Sequence, residues 1–334
     1  MSRRPYDSYL YIDNFMFGRH TEKQKLLNFL LQRSPDGAPA VLPVIGSFAV
    51  GKKTLVAHVC ADERVRSQFP SILHLKGENI LGIVDHEKAL LGMALVVVEF
   101  ISEIDDVEWE EFYSFVTRTN RSIKMIIIST HERFARFGSV RPVFLNKLSY
   151  EELQYLFKTL AFGSADPMER PRLVQIAEEY ARSLHSGGGS LIAANGLAHV
   201  LRRNLNDDFW LCILDRCLRV IERNFSAYGE NPKDRIEQGH EVDLSDFSLH
   251  PHSPLHIRPY TSITACVPVN QNLPQVTVGE LLEDPSVRPR GEFNLLSWKS
   301  RIPPYTCFAH FVPNCSDIPE STPLSGRKRR SARE

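Results

Sequence analysis

The sequence lacks several features that would place it at once in a simple class. Its 40 lysine and arginine residues are matched by 40 aspartate and glutamate residues, so the formal net charge is zero. That balance does not indicate a nucleic acid or an acidic membrane as the main partner. No apolar run approaches the roughly 20 residues of a membrane-spanning helix, and the N-terminus lacks the apolar core of a signal peptide. We therefore expect a cytoplasmic protein with neither a membrane nor a nucleic-acid partner.

Cysteine is also scarce, and no sequence repeat of fixed period is present. The six cysteines are widely scattered and form no C-x-x-C pair, which is typical of reduced cytosolic thiols and excludes a disulfide scaffold or a zinc site. The absence of a repeat excludes a solenoid. One local excess of charge is the basic run at residues 327–330. It is typical of a solvated basic tail, and a nuclear-import signal is the alternative.

The first two-thirds of the chain instead alternates the patterns of strands and helices. Continuous apolar runs, typical of strands buried on both faces of a parallel sheet, lie at 41–45, 95–98 and 125–128. Pro43 argues against the first of these strands, because proline cannot donate to a ladder. Residues 108–117 between the other two runs have helical spacing. Strands separated by helices indicate right-handed βαβ units and an α/β fold.

A phosphate-binding pattern follows the first predicted strand. Residues 46–52 satisfy G-x-x-x-x-G-K, in which glycines let successive N–H groups face a phosphate and the lysine adds positive charge. A strand before the pattern and a helix after it are the context that the motif requires. We expect the following residues to bind the nucleotide: Gly46, Ala49, Val50, Gly51, Lys52, Lys53 and Thr54.

Two positions depart from a hydrolytic site. A P-loop needs serine or threonine after its lysine to bind Mg²⁺, but here that residue is Lys53, and Thr54 is turned by roughly 100° along the helix. Glu99, directly after the apolar run at 95–98, stands where the metal-side carboxylate belongs. Phe100 follows where a second acid would act on water. The sequence therefore makes Mg²⁺ binding doubtful and predicts weak or absent hydrolysis.

The sequence pattern changes after the predicted sheet. Helical spacing begins at Ser149, where a capping box opens a helix, and continues to about residue 228. Periodicity is then lost among proline, histidine and serine, with one short element expected at 276–282 and another at 293–298. The predicted regions are a lead-in segment at 1–16, a P-loop nucleotide-binding domain at 17–165, a helical subdomain at 166–228 and an irregular region with a basic tail at 229–334. The predicted fold class is α/β, a P-loop NTPase-like parallel sheet flanked by helices, followed by a small helical domain and an irregular C-terminal tail.

Several of these segments, taken in order, resemble the NB-ARC domain of plant NLR disease-resistance proteins. The resemblance covers residues from about 15 to 225. It is carried by residues 17–19, 41–46, 51–55, 62–65, 124–131 and 148–163. The order of these segments is more specific than any single motif. The chain is similar to a truncated, grass-type member without leucine-rich repeats.

The resemblance implies a STAND-type switch of plant defence that holds ADP at rest and ATP when active. It implies Gly18 and Arg19 in the loop flanking the adenine, and an ARC-like role for the helical subdomain. The implied partners are other proteins of an immune signalling pathway. The sensor strand ends in His131 where the family has an arginine, and residues 188–191 replace a Gly-Leu-Pro-Leu motif without its proline.

Three functions are compatible with this sequence. The first is an ADP- or ATP-binding switch that regulates a partner. The alternative is a nucleotide-independent adaptor or decoy, which keeps the fold for protein–protein interaction and has lost its ligand. The third, a P-loop enzyme such as a small-molecule kinase, is disfavoured because two catalytic positions are altered and no substrate motif is present.

Overall fold

A computed structural model describes most of the chain. The described residues are 16–32, 39–90, 92–248, 254–259, 272–302, 305 and 307–314. The predicted basic tail at 327–330 and nearly all of the predicted lead-in segment lie outside them. Among the described residues, none of the helices combines the length and the apolar character that crossing a bilayer would demand.

The N-terminal part contains a five-stranded parallel sheet, as predicted. Its strands are β1 (Ala40–Gly46), β2 (Ser71–Lys76), β3 (Ala94–Phe100), β4 (Lys124–Ser129) and β5 (Val143–Leu145). They lie in the order β2-β3-β4-β1-β5, and each neighbouring pair is parallel. The carboxyl ends of β1, β4 and β3 therefore meet at one edge, which is where α/β sheets place ligands.

Pro43 is accommodated inside β1 because of the side to which its nitrogen points. Val41, two residues earlier and in the same orientation, donates its N–H to the Ser139 hydroxyl at 2.9 Å rather than to a strand. On that side β5 pairs with β1 only from Val44 onward. The proline therefore removes no ladder hydrogen bond, and the strand forms despite it.

Helices cover both faces of this sheet. They are α1 (His20–Leu31), α2 (Lys52–Cys60), α3 (Glu63–Gln68) and α4 (Asp106–Thr119), with 3-10 turns at Gly77–Leu90 and Glu132–Phe137. Leu26, Leu55 and Val65 pack on one face. Phe112 and Phe134 pack on the other. Two apolar layers thus enclose the strands, which explains their continuous apolar sequences.

Four further helices pack as a second unit. They are α5 (Tyr150–Phe162), α6 (Pro171–Ser186), α7 (Leu191–Arg203) and α8 (Asp207–Tyr228). The capping box predicted at Ser149 is present at the start of α5. Trp210 is fully buried at the centre, and its carbonyl accepts the Tyr180 hydroxyl at 2.7 Å. Although α5 falls within the predicted range 17–165, its buried face contributes to this helical core.

The region predicted as irregular is more regular than expected in its described part. It contains α9 (Pro232–Glu237), β6 (Val242–Asp243), β7 (His256–Pro259), β8 (Gln275–Thr277), α10 (Val278–Glu283), β9 (Phe293–Lys299) and β10 (Cys307–Val312). The strands form a second sheet in the order β6-β7-β10-β9-β8, around a core that includes Phe293 and Leu295. The short elements predicted at 276–282 and 293–298 are present. The sheet itself was not predicted, because its strands have two to seven residues and β9 buries three consecutive residues instead of alternating ones.

Candidate functional site

The phosphate loop has the backbone that its sequence predicts. β1 ends at Gly46, α2 begins at Lys52, and Gly51 between them has φ of 94°, a left-handed conformation that favours glycine. Ala49 also has a positive φ of 59°. A non-glycine residue in this region is strained, and such residues cluster at ligand-binding loops. The loop therefore presents a concave turn of backbone ahead of a helix N-terminus, which suits an anion.

Lys52 lies inside this loop. Its side chain is buried, and its Nζ donates to the carbonyl oxygens of Gly46 at 2.6 Å and Ser47 at 2.8 Å. Burial lowers the pKa of Lys52 to about 8, and the nearby charges of Glu237 and Glu99 act in the opposite direction. The ammonium is thus held at the mouth of the loop by backbone groups that a phosphate could replace.

Lys53 and Glu99 form an ion pair across the site. The Lys53 Nζ lies 2.6 Å from Glu99 Oε1, and the exposed fractions of the two side chains are 40% and 16%. The carboxylate expected beside a metal therefore already has a cation at contact distance. Thr54 lies partly buried in the first turn of α2, and its contact with a nucleotide stays a prediction.

These residues do not fit an Mg²⁺ ion. Magnesium needs oxygen ligands at about 2.0–2.1 Å in near-octahedral geometry, and Lys53 supplies an ammonium where a P-loop supplies a hydroxyl.

Phe100 belongs to the core and not to the site. Its side chain is 2% exposed, and its ring stacks on Phe134 with centroids 4.6 Å apart and planes 5° apart. Trp109 lies edge-on to it at 6.2 Å. A Cβ on Gly77 would collide with this ring, so the glycine makes room for it. The position of the second acid is therefore filled by an aromatic group that cannot act on water.

Gly18 and Arg19 lie next to the phosphate loop, and Arg19 is hydrogen-bonded to it. Gly18 has φ of 67° and precedes a buried Arg19. One guanidinium nitrogen of Arg19 donates to the carbonyls of Val50 at 3.2 Å and Asn146 at 2.7 Å. Burial lowers the pKa of Arg19, although Glu22 opposes this effect. Arg19 thus fixes the phosphate loop relative to the start of the helical unit, and its place beside an adenine stays a prediction.

The predicted sensor residue lies in the neighbouring loop. The exposed His131 follows β4, and its backbone N–H donates to the Ser129 hydroxyl at 3.1 Å. Its Nε2 is 3.3 Å from the carbonyl oxygen of Ile101, just beyond β3. The imidazole therefore has a partner in the loop after β3.

The start of α7 contacts the phosphate loop directly. The backbone N–H of Leu191 donates to the Ala49 carbonyl at 3.1 Å, and the Ser190 hydroxyl caps α7 by accepting from the Ala193 N–H at 3.2 Å. Residues 188–191, which lack the expected proline, are thus the segment that contacts the phosphate loop. Lys233 in α9 anchors it further by donating to the Gly188 carbonyl at 3.0 Å.

The C-terminal region also contributes to the site, which the sequence does not predict. The ring of Phe48, in the phosphate loop, meets the ring of Phe308 in β10 with centroids 5.7 Å apart. Glu237 in α9 lies close enough to Lys52 to affect its pKa. Nothing in the local sequence links these positions to the loop, because the partners are separated by well over a hundred residues.

Comparison with known proteins confirms the expected resemblance. The chain is 25% identical over 232 residues to disease resistance protein RGA2 of Solanum bulbocastanum, and 26% identical over 230 residues to RGA1 of the same plant. Each alignment covers 60% of this chain. The chain spans 23% of the length of these relatives. A disease resistance protein of Arabidopsis thaliana is 26% identical over 64% of the chain.

Two further comparisons are less specific. No family model matches the chain. Among solved structures, Drosophila ORC bound to DNA aligns with 15% identity and a TM-score of 0.40, over 68% of this chain and 62% of that one. Domain III of Thermotoga maritima DnaA aligns with 12% identity and a TM-score of 0.31, over 67% of this chain and 91% of the domain.

Proposed function

We propose that this chain, similar to plant disease resistance proteins over 60% of its length, is an ADP- or ATP-binding switch of plant defence with weak or absent hydrolysis. It acts in the cytoplasm, with the nucleus as the alternative, and its partners are other proteins of an immune signalling pathway. The observation that carries the proposal is the phosphate loop, in which the buried Lys52 follows the left-handed Gly51 at the N-terminus of α2 and donates to the Gly46 and Ser47 carbonyls.

Two features support binding without turnover. The loop offers N–H groups, a helix N-terminus and two lysines to a phosphate chain. The position of the acid that would act on water holds the buried ring of Phe100. A bound nucleotide would then alter the contacts that α7 makes with the loop, since the Leu191 N–H lies on the Ala49 carbonyl.

The alternative is a nucleotide-independent adaptor or decoy. One observation favours it: the Lys52 ammonium already has hydrogen-bond acceptors within the loop, because it donates to the carbonyls of Gly46 and Ser47. A loop closed in this way keeps its shape without a ligand.

The first experiment measures the nucleotide content of the purified chain, by denaturing it and separating the supernatant by chromatography. A switch yields near-stoichiometric ADP or ATP. An adaptor yields none, and its melting temperature does not change when ADP or ATP is added.

A matched pair of variants sharpens the test. Lys52→Ala removes the buried ammonium and should weaken ADP binding by at least about a hundredfold, since a charge-assisted contact to phosphate is lost. Lys25→Ala removes an exposed lysine of α1 and should leave ADP binding unchanged. Equal nucleotide affinity in wild type and Lys52→Ala would exclude the switch.

A further inference from the structure

The pairing of Lys53 with Glu99 bears on how phosphate charge is neutralised at this loop. In a metal-dependent P-loop, the hydroxyl after the lysine and a carboxylate at a strand end jointly hold Mg²⁺ against the terminal phosphates. Here the same two positions hold an ammonium and a carboxylate whose charged atoms lie 2.6 Å apart. Both metal-side positions are thus occupied by groups that bind each other.

Lys53 lies beside the phosphate loop. It is the second residue of α2, directly after Lys52, and its partner Glu99 is the penultimate residue of β3. Lys52 is engaged by the carbonyls at the start of the loop. Two adjacent side chains therefore place positive charge next to the loop.

A divalent ion has no favourable place between them. An approaching Mg²⁺ would have to displace an ammonium from the carboxylate and then remain beside it, and like charges this close repel strongly. The Lys53 ammonium already supplies one positive charge with three hydrogen-bond donors, which suit phosphate oxygens.

We propose that Lys53 replaces Mg²⁺ at this phosphate loop, so that the chain binds a nucleoside diphosphate or triphosphate without a divalent cation. This inference rests on the proposed nucleotide binding. Glu99 pairs with the Lys53 ammonium until a phosphate takes its place, and it does not act as a metal ligand.

The competing explanation is an ordinary surface ion pair. Exposed pairs contribute little to stability and are screened by salt, and in that case Lys53 has no effect on ligand binding. The two explanations differ in what removal of the ammonium does to nucleotide affinity, which can be measured directly.

The experiment titrates the full chain, stripped of nucleotide, with a fluorescent ADP analogue in excess Mg²⁺ and again in EDTA. Wild type should give dissociation constants that agree within about threefold in the two conditions. Lys53→Thr restores a hydroxyl, and its affinity should fall at least about tenfold in EDTA and recover with Mg²⁺. Lys53→Arg keeps the charge and should remain insensitive to EDTA.

A second readout does not depend on affinity. In the presence of ADP, wild type should give only the electron paramagnetic resonance spectra of aqueous Mn²⁺ and of the free Mn²⁺–ADP complex. With Lys53→Thr an additional, protein-immobilised Mn²⁺ signal should appear. Immobilised Mn²⁺ in wild type overturns the inference.

Glu99→Gln provides a test whose sign differs between the two mechanisms, and it serves even where Lys53→Thr fails to fold. A metal-held nucleotide loses affinity when the carboxylate is neutralised. With Lys53 as the cation, the ammonium is no longer shared with the carboxylate, and ADP affinity stays equal or rises. A tenfold loss in Glu99→Gln overturns the inference.

The outcomes also separate this inference from the proposed function. Binding that tightens at least tenfold with Mg²⁺ in wild type overturns the role of Lys53 and leaves the nucleotide switch standing. The absence of ADP and ATP binding in both conditions overturns the switch, and the role of Lys53 with it.

Discussion

His310 lies in β10, the central strand of the C-terminal sheet, and its imidazole is 2% exposed. The ring of Phe308 lies edge-on at 4.9 Å. The Nδ1 atom is buried without a hydrogen-bond partner among the residues that the structure describes. Burial lowers the pKa of His310 to about 4, because the apolar surroundings disfavour the charged form.

This single residue should make the chain sensitive to acid. Below pH 6.5 the unfolded imidazole takes up a proton, whereas the folded one does so only near pH 4. The unfolded state therefore binds more protons in this window, and the free energy of unfolding falls as the pH falls through it. His310→Leu should flatten that slope, as urea unfolding at pH 7 and pH 4.5 would measure.

The exposed His240 provides the control for this prediction. His240→Leu should leave the pH dependence as it is in wild type. If wild type and His310→Leu lose the same stability between the two pH values, burial of His310 is not the cause of acid sensitivity.

At the scale of elements, the N-terminus of α7 is coupled to the phosphate loop. Ser190 accepts the Ala193 N–H and so fixes the first turn, and the next residue, Leu191, donates to the Ala49 carbonyl. A cap that frays would release that backbone contact. The start of this helix therefore affects both stability and the shape of the loop.

Ser190→Ala should reduce stability by about 1 kcal/mol, the usual effect of losing a cap, and should also change ADP affinity. The matched control is Asn206→Ala, since Asn206 caps α8 by accepting the Phe209 N–H at 3.0 Å. It should cause a similar loss of stability and leave ADP affinity as in wild type. Unfolding in urea and ADP titration of both variants give the comparison. Identical ADP affinity in the two variants would contradict the coupling.

The sequence predicts the elements whose signals are local. The apolar runs that became β1, β3 and β4 are continuous because both faces of their sheet are covered. The capping box at Ser149 is complete within four residues. Lys53 and Glu99 could each be assigned to the metal side of the loop, but their pairing needed the distance between α2 and β3. β6 and β7 gave no signal, since a strand of two to four residues has no measurable period.

At the scale of the whole molecule, the three packed units meet at the phosphate loop. Phe308 brings the C-terminal sheet to Phe48, and Leu191 brings the helical unit to Ala49. Arg301 also links the sheet region to α7, by donating to the Asn195 side chain at 3.0 Å. Such contacts between distant segments have no sequence signature, which is why the role of the C-terminal region was not predicted.

The contact between Phe48 and Phe308 should couple the loop to the C-terminal sheet energetically. Alanine substitutions at both positions should be non-additive, with a coupling of about 0.5–1.5 kcal/mol, the range for aromatic pairs. Urea unfolding of the two single variants and the double variant measures this coupling. Phe48→Ala combined with Phe225→Ala, at an exposed position of α8, should be additive. An additive result for the first pair would mean that the rings do not stabilise each other.

The buried stack of Phe100 on Phe134 has a consequence in time. In a nucleotide-binding protein that hydrolyses its ligand, the protein itself sets the lifetime of the triphosphate-bound state, because it sets the rate of hydrolysis. If the chain is the proposed switch, the aromatic ring at the water-activating position makes hydrolysis weak or absent, and a bound nucleotide leaves mainly by dissociation. The proportion of molecules in each state would then follow the ratio of ADP to ATP in the surroundings and the two off-rates, so that the chain reports conditions and not the interval since activation.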